Sequence, residues 1–254
     1  MTKIILHGCN GRMGQMITDI CKEDPEAEIV AGIDISDPGN MAFPVFTDIT
    51  ECRTAADAVI DFSTAKAADG VLAYCVEREL PLVLCTTGLS EAQLEQTKEA
   101  SAKIPILKSA NMSLGINTLF ELLQKAAKVL APAGFDMEIV EKHHNQKLDA
   151  PSGTALALAD ALNEAMDQAY EYKFDRSQER KKREAKEIGI SAVRGGTIVG
   201  DHDVIFAGMD EVITFSHRAY SKGVFAKGAI QAAKYIAGKP AGLYTMSDVI
   251  ENRE

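Results

Sequence analysis

The sequence predicts an α/β protein: a Rossmann-type N-terminal domain with a parallel sheet, and a smaller α+β domain with a mainly antiparallel sheet. Three observations carry this. Residues 3–108 alternate short apolar runs with stretches of helical period, the pattern of repeated βα units. The first of those units sets Gly8, Gly11 and Gly14 between a strand and a helix. Beyond residue 114 the order changes to long helices followed by consecutive strands with glycine-containing links. The domain boundaries follow as 1–113 with 224–254, and 114–223.

The first unit is read as a strand from residue 3 to 6, a glycine turn, a helix over 13–21 and a second strand over 28–33 that ends in Asp34. Glycines there let backbone approach a pyrophosphate, and the helix start offers N–H groups and partial positive charge. An acid closing the second strand accepts from ribose hydroxyls. The spacing is G-x-x-G-x-x-G, with Asn10 at the usual second glycine. A tight strand-to-helix turn of another α/β fold is the plain alternative. Further strands are expected over 58–62, 82–85 and 104–108, with helices over 65–78 and from a Ser90/Gln93 capping box to about 103. The polar clusters after these strands, Ser63-Thr64, Thr86-Thr87-Gly88 and Ala110 to Ser113, fall where parallel sheets bind ligands, and also read as helix caps.

A helix is then expected over 114–130, stopped by Pro132 and Gly134, followed by a strand over 136–140 and a long helix over 154–172. Residues 173–187 are dense in both charges and read as a solvated loop or helix end. Strands over 188–194, 197–207 and 210–216 with glycine links suggest antiparallel pairing. A helix over 224–237 and a short tail close the chain. An antiparallel sheet with a long edge needs cover, so a homotetramer through this sheet is expected.

Composition limits the function. With 254 residues, 46% hydrophobic and 25% charged, the chain is an ordinary globular protein that needs no staples. A net charge of −10 argues against a nucleic-acid partner. The cysteines are odd in number (5) and form no C-x-x-C pair, which fits buried thiols in a reducing cytoplasm. There is no signal pattern and no apolar run of membrane length, so a cytoplasmic protein without a membrane partner is expected.

Chemistry concentrates between His143 and Thr154, where two histidines, Lys147, Asp149, Pro151 and a Ser152-Gly153-Thr154 step lie between a strand and a helix. Neighbouring residues of a strand point to opposite faces, so His143 and His144 are poorly placed to share a metal, and no metal is expected. Ser152 lacks the G-x-S-x-G context of a nucleophile. Acid–base work and anion recognition remain: histidine as general acid, lysine as a fixed charge, and the Ser152-Gly153-Thr154 amides as an anion cradle. Asp149 is expected to orient the loop or pair with Lys147. A nicotinamide cofactor, an acid and anion cradles together describe reduction of a small dicarboxylate. Histidines that merely end a strand are the plain alternative.

The run E-x-x-E-x-HH-x-x-K-x-DAPSGTA, from Glu138 to Ala155, closely resembles the signature of the dihydrodipicolinate reductase family. The likeness extends to the glycine turn, D-F-S at 61–63, T-T-G at 86–88, A-N-x-S-x-G at 110–115 and R-G-G at 194–196. It implies reduction of 4-hydroxy-tetrahydrodipicolinate by NADH or NADPH, in lysine and diaminopimelate biosynthesis. By position, His143 matches the proton donor and Lys147 the second catalytic residue. His144, Ser152, Gly153 and Thr154 match substrate-binding positions. Gly8, Cys9, Asn10, Gly11, Arg12, Met13, Asp34, Cys85, Thr86, Thr87, Ala110, Asn111, Met112 and Ser113 match cofactor-binding ones. The resemblance makes 1–113 with 224–254 the dinucleotide-binding domain and 114–223 the domain for substrate and for homotetramer contacts. Cys85 stands where many relatives have glycine. Asp34 is followed by Ile35-Ser36, with no arginine for a 2′-phosphate, which leans toward NADH. A neighbouring amino-acid dehydrogenase would lack the His-Lys-Ser-Gly-Thr run, and a non-catalytic dinucleotide sensor would not need His143 and Lys147 together.

Overall fold

The computed structural model describes residues 1–251. Among them the chain divides into two compact units: Gly115–Lys222 forms one, and the residues on either side of it form the other.

The flanking unit is built on strands β1 (Thr2–His7), β2 (Ala27–Ile33), β3 (Val45–Phe46), β4 (Ala58–Asp61), β5 (Leu82–Leu84) and β6 (Pro105–Leu107), with a last strand, β12 (Gly242–Tyr244), late in the chain. Their order is β12-β6-β5-β4-β1-β2-β3, and every pairing is parallel. The two-residue period of a strand sends alternate side chains to opposite faces. Ile4, Leu6, Ala58 and Ile60 therefore join one core, packed by α1 (Arg12–Cys21) and α6 (Gly223–Ile236). Ile5, Val59, Leu82 and Leu84 join the other, packed by α2 (Ala68–Glu77) and α3 (Glu91–Ser101). Strands buried on both faces have to read as continuous apolar runs, and these do. The Ser90/Gln93 capping box opens α3 as expected.

The α6 helix meets the loop after β6 backbone to backbone. A Cβ at Gly228 would stand 1.6 Å from the Met112 carbonyl oxygen, so only glycine fits there. Two short strands and a helix of this unit escaped the sequence reading. β3 and β12 are two and three residues long, too short to show a period, and the expected short tail holds β12 and α7 (Met246–Glu251). β12 extends the sheet beyond β6.

The second unit opens with α4 (Leu114–Leu130), whose first residue still belongs to the other unit. Its sheet contains β7 (Asp136–His143), β8 (Glu171–Phe174), β9 (Glu187–Arg194), β10 (Gly200–Ala207) and β11 (Val212–Ala219), in the order β11-β10-β7-β9-β8. The sheet is mixed. β10 pairs antiparallel with β7 and β11, while β9 pairs parallel with β7 and β8. The Gly195-Gly196 link is thus no hairpin: β9 and β10 flank β7 instead of pairing. One face of the sheet packs Met137, Ile139, Val204, Phe206, Ile188 and Ile190 against α4 and α5 (Gly153–Glu164).

Two expectations are corrected here. The helix expected over 154–172 ends at Glu164, and residues 171–174 form β8. Asp167 and Gln168 take left-handed backbone angles, and the Asn163 side chain bonds both the N–H and the carbonyl of Tyr170. No glycine or proline marks that stop. The charged run 173–187 is also more than a solvated loop. Arg183, 17% exposed in its side chain, donates to Asp136, Glu138 and the Met137 carbonyl, and Arg176 donates to Glu138 and Glu187. Gly189 leaves the room that the Glu138 carboxylate fills.

Candidate active site

The burial of β7 alternates strictly, so Glu141 and His143 follow Met137 and Ile139 on the inward face. Near the strand's end the apolar row becomes a polar one. Glu141 is fully buried, yet it accepts four hydrogen bonds. His143 Nδ1 lies 2.6 Å from Oε2. Arg194 Nη1 and Nη2 reach Oε2 and Oε1 at 2.7 Å each, and the Ser152 N–H reaches Oε1 at 2.9 Å. Sheet register explains the convergence: His143 sits opposite Arg194 on β9, and Glu141 sits opposite His202 on β10. Burial alone would raise the Glu141 pKa. The guanidinium, the imidazole and the Ser152 amide outweigh it, and the carboxyl lies below its ordinary value.

His143 is pulled the other way. Burial lowers its pKa, Glu141 raises it, and the charges of Lys147 and Arg194 lower it again, for a net decrease. Its Nε2 side faces Gly200, where a Cβ would come within 3.0 Å. His202 packs edge-on against His143, with ring centroids 5.2 Å apart, and its Nε2 lies 3.1 Å from the Ser152 hydroxyl oxygen. Burial, then the charge of His143, pushes the His202 pKa down to about 4.

His144 leaves the strand and is half-buried. The following loop is stitched to the R-G-G turn: Gly195 N–H donates to the His143 carbonyl and Asn145 N–H to the Gly196 carbonyl. Lys147 pairs with Asp149 at 2.8 Å, as expected. That contact holds Asp149 below the ordinary carboxylate range, with help from backbone N–H groups including that of Gly153. Ser152 caps α5 by accepting from the Ala155 N–H at 3.1 Å. The expected three-amide cradle is therefore revised. The Ser152 N–H serves Glu141, and the Gly153 N–H bears on Asp149. Sequence reasoning missed Glu141, His202 and the task of Arg194. The E-x-H spacing on an alternating strand was the available signal for Glu141.

In the flanking unit, the positions matched to a cofactor follow strand ends. Gly8, at φ +83°, lies against the Phe62 carbonyl, and a Cβ at Gly14 would stand 2.3 Å from the Gly8 oxygen. Gly11 precedes α1 without a side-chain cap, and Arg12 is exposed while Met13 packs on the core. Asp34 accepts the N–H groups of Asn10 and Ile35, each at 2.8 Å. Asn10 Oδ1 and Ser63 Oγ are buried without partners. The buried Asp61 carboxylate lies 2.8 Å from His7 Nδ1 and accepts from the Thr86 hydroxyl at 2.6 Å, so it ties D-F-S to T-T-G. Cys85 is half-buried beside Thr86, with Thr87 exposed, and burial raises the Cys85 pKa. Ser113 N–H donates to the Asn111 side chain, and Met112 meets α6, while Ala110 is exposed. A backbone turn admitting no side chain, an uncapped helix start and orphaned polar atoms fit a dinucleotide.

A parallel sheet with a dinucleotide turn, and a second unit with a histidine at a strand end and a lysine in the loop that leads to a helix, define a class: Rossmann-type oxidoreductases. The sequence profiles described as "Dihydrodipicolinate reductase, N-terminus" and "Dihydrodipicolinate reductase, C-terminus" match residues 2–112 and 115–250. A 4-hydroxy-tetrahydrodipicolinate reductase of Caldanaerobacter subterraneus subsp. tengcongensis is 53% identical over 251 residues, 99% of each chain. One from Clostridium tetani is 50% identical, covering 99% of this chain and 98% of its own. Among solved structures, a dipicolinate-bound dihydrodipicolinate reductase from Paenisporosarcina sp. TG-14 shares the fold, with a TM-score of 0.80 at 24% identity, over 96% of this chain and 97% of that one. The chain belongs to the dihydrodipicolinate reductase family.

The His202 environment sets a pH dependence. An unfolded histidine takes a proton near pH 6.5, whereas folded His202 does so near 4. Between those values the unfolded state holds the extra proton, so stability falls as pH falls through this window. The slope from this one group reaches ~1.4 kcal/mol per pH unit. Urea denaturation of wild type and His202→Gln at pH 7 and 4.5 checks it. The variant should lose less stability on acidification; parallel losses would refute the assignment.

Proposed function

We propose that the chain catalyses the NAD(P)H-dependent reduction of 4-hydroxy-tetrahydrodipicolinate to tetrahydrodipicolinate in lysine and diaminopimelate biosynthesis. The observation that carries this is the site on β7 and the loop after it: a buried histidine held by a carboxylate, with a lysine and a helix start close by in the chain. Near-full-length identity to relatives bearing that activity's name supports it.

The glycine turn from Gly8 to Gly14 and the start of α1 would hold the pyrophosphate, and Asp34 the adenosine ribose. Positions 85–87 and 110–113 would line the rest of the dinucleotide. When bound, the nicotinamide supplies the hydride. His143 delivers a proton from Nε2, so that one hydride and one proton are gained as water leaves the substrate. Lys147 exchanges its contact with Asp149 for a substrate carboxylate and stabilises developing negative charge. His144, with Gly153 and Thr154 at the start of α5, holds a carboxylate; Ser152 shapes that start through its cap.

His143→Ala and Lys147→Ala should each lower kcat by ~10²–10⁴-fold while NADH binding is kept. An NADH-oxidation assay with synthase-generated substrate reads this, and near-normal turnover in both would remove them from the mechanism.

NADH is the favoured cofactor in this reading. A 2′-phosphate would meet the Asp34 carboxylate, with Ile35-Ser36 and then Asp37 following and no adjacent base. The ratio of kcat/KM for NADH to that for NADPH should exceed one; a strong NADPH preference would reverse the assignment.

The assembly we favour is a homotetramer through the second sheet. Its outward face carries Val140, Ile205, Val193 and Val212, the last two 46% and 62% exposed. Among the described residues, the two helices of this unit both pack on the other face. Light scattering at micromolar concentration should give four times the 27.4 kDa chain mass. A monomer mass would overturn it.

A further inference from the structure

We infer that Glu141 is a positioning residue for the reaction: it fixes His143 as the Nδ1–H tautomer and leaves Nε2 as the atom that gains and loses the proton. The inference rests on the reading of His143 as the acid. The geometry is specific. A carboxylate with its charge intact can only accept, so at 2.6 Å from Oε2 the Nδ1 must carry hydrogen. Glu141 cannot turn away, because the Arg194 fork and the Ser152 N–H hold both its oxygens. Among the described residues no hydrogen-bond partner faces Nε2. Gly200 beside it carries no side chain.

The same carboxylate sets how readily His143 takes a proton. The charged and titratable groups around the ring are Glu141 on its own strand, Arg194 on β9, His202 on β10 and Lys147 in the loop. Of these only Glu141 favours the imidazolium; Arg194 and Lys147 oppose it, as burial does. Without Glu141 the ring would meet two cations and a buried setting with nothing to offset them. The fraction of protonated His143 at neutral pH would then fall about tenfold for each unit of pKa lost.

Two measurements decide it. The first is read on the wild-type chain: nitrogen chemical shifts of ¹⁵N-histidine-labelled protein, with His143 assigned by comparison with His143→Gln. Above its titration His143 should show a protonated Nδ1 and an unprotonated Nε2; the opposite tautomer, or a rapid mixture, overturns the inference. The second compares pH profiles of kcat for wild type and Glu141→Gln. The variant's fall in rate with rising pH should move to lower pH by about one unit, giving about tenfold lower kcat at pH 7.5 with KM within about threefold. A uniform loss at every pH with an unmoved profile means that Glu141 only supports packing, and overturns the inference. If His143→Gln itself keeps near-normal turnover, the acid role fails and this inference falls with it; an inactive His143→Gln beside the wrong tautomer or an unmoved Glu141→Gln profile overturns this inference alone.

Discussion

Taking the Glu141 carboxylate out of water costs several kcal/mol unless other donors replace the lost hydration. The donors that do so come from three places in the chain, and this requirement shapes the second unit. Arg194 can fork onto Glu141 only if β9 lies directly beside β7, in parallel, with His143 opposite Arg194. A β9–β10 hairpin would have carried the guanidinium away. The Ser152 N–H can arrive only if the loop after His143 folds back on the strand it has just left. The stitching of that loop to Gly195 and Gly196 serves the same return. Because leaving a buried charge unpaired is far costlier than never having it, acid, arginine and loop must form together.

The flanking unit answers a similar demand at the end of β4. Asp61 is fully buried, and burial works against its charge, yet its pKa stays below the ordinary value because His7, the Ser63 N–H and the Thr86 hydroxyl surround it. His7 ends β1, Ser63 and Thr86 follow β4 and β5, and all three lie at the C-terminal ends of these parallel strands. Each unit therefore places a buried carboxylate where strands end, and uses it to tie neighbouring loops. Such a tie gives loops that hold ligands the rigidity of the sheet beneath them.

Legibility in the sequence followed the range of the interactions. Strands β1, β2, β4, β5 and β6 and most helices were legible because apolar period is a local property: Ile4, Ile5 and Leu6 announce a doubly buried strand by themselves. The Lys147–Asp149 contact was legible for the same reason. β8 was hidden inside an apparent helix, because the stop at Glu164 is made by Asn163 reaching Tyr170 and by left-handed Asp167 and Gln168, none of which shows as a glycine or proline. The mixed order of the second sheet was hidden too, since glycine links say that a chain turns and not which strand it next pairs with. Gly228 looks like a weak point in a helix and is a contact between backbones. The motif sets His143 and Lys147 in one expected site; the Arg194 fork that holds Glu141 beside His143 is made across 53 residues and leaves no local pattern.

Two cations of the second unit, Arg194 and Lys147, illustrate how burial divides labour. Arg194 and Lys147 each meet a carboxylate, at 2.7 and 2.8 Å. The partner of Arg194 is fully buried, and parting them would strand a charge at a cost of ~3–5 kcal/mol. The partner of Lys147 is 58% exposed, and an exposed pair of that kind contributes ~0–1 kcal/mol. A carboxylate of a ligand can therefore take the place of Asp149 on Lys147 at small cost, while none can take the place of Glu141 on Arg194. The chain's net charge of −10 does not oppose this, because the local balance turns on which acids are already committed. Arg194 is thus committed to a buried partner, and Lys147 holds the weaker, more exposed pair.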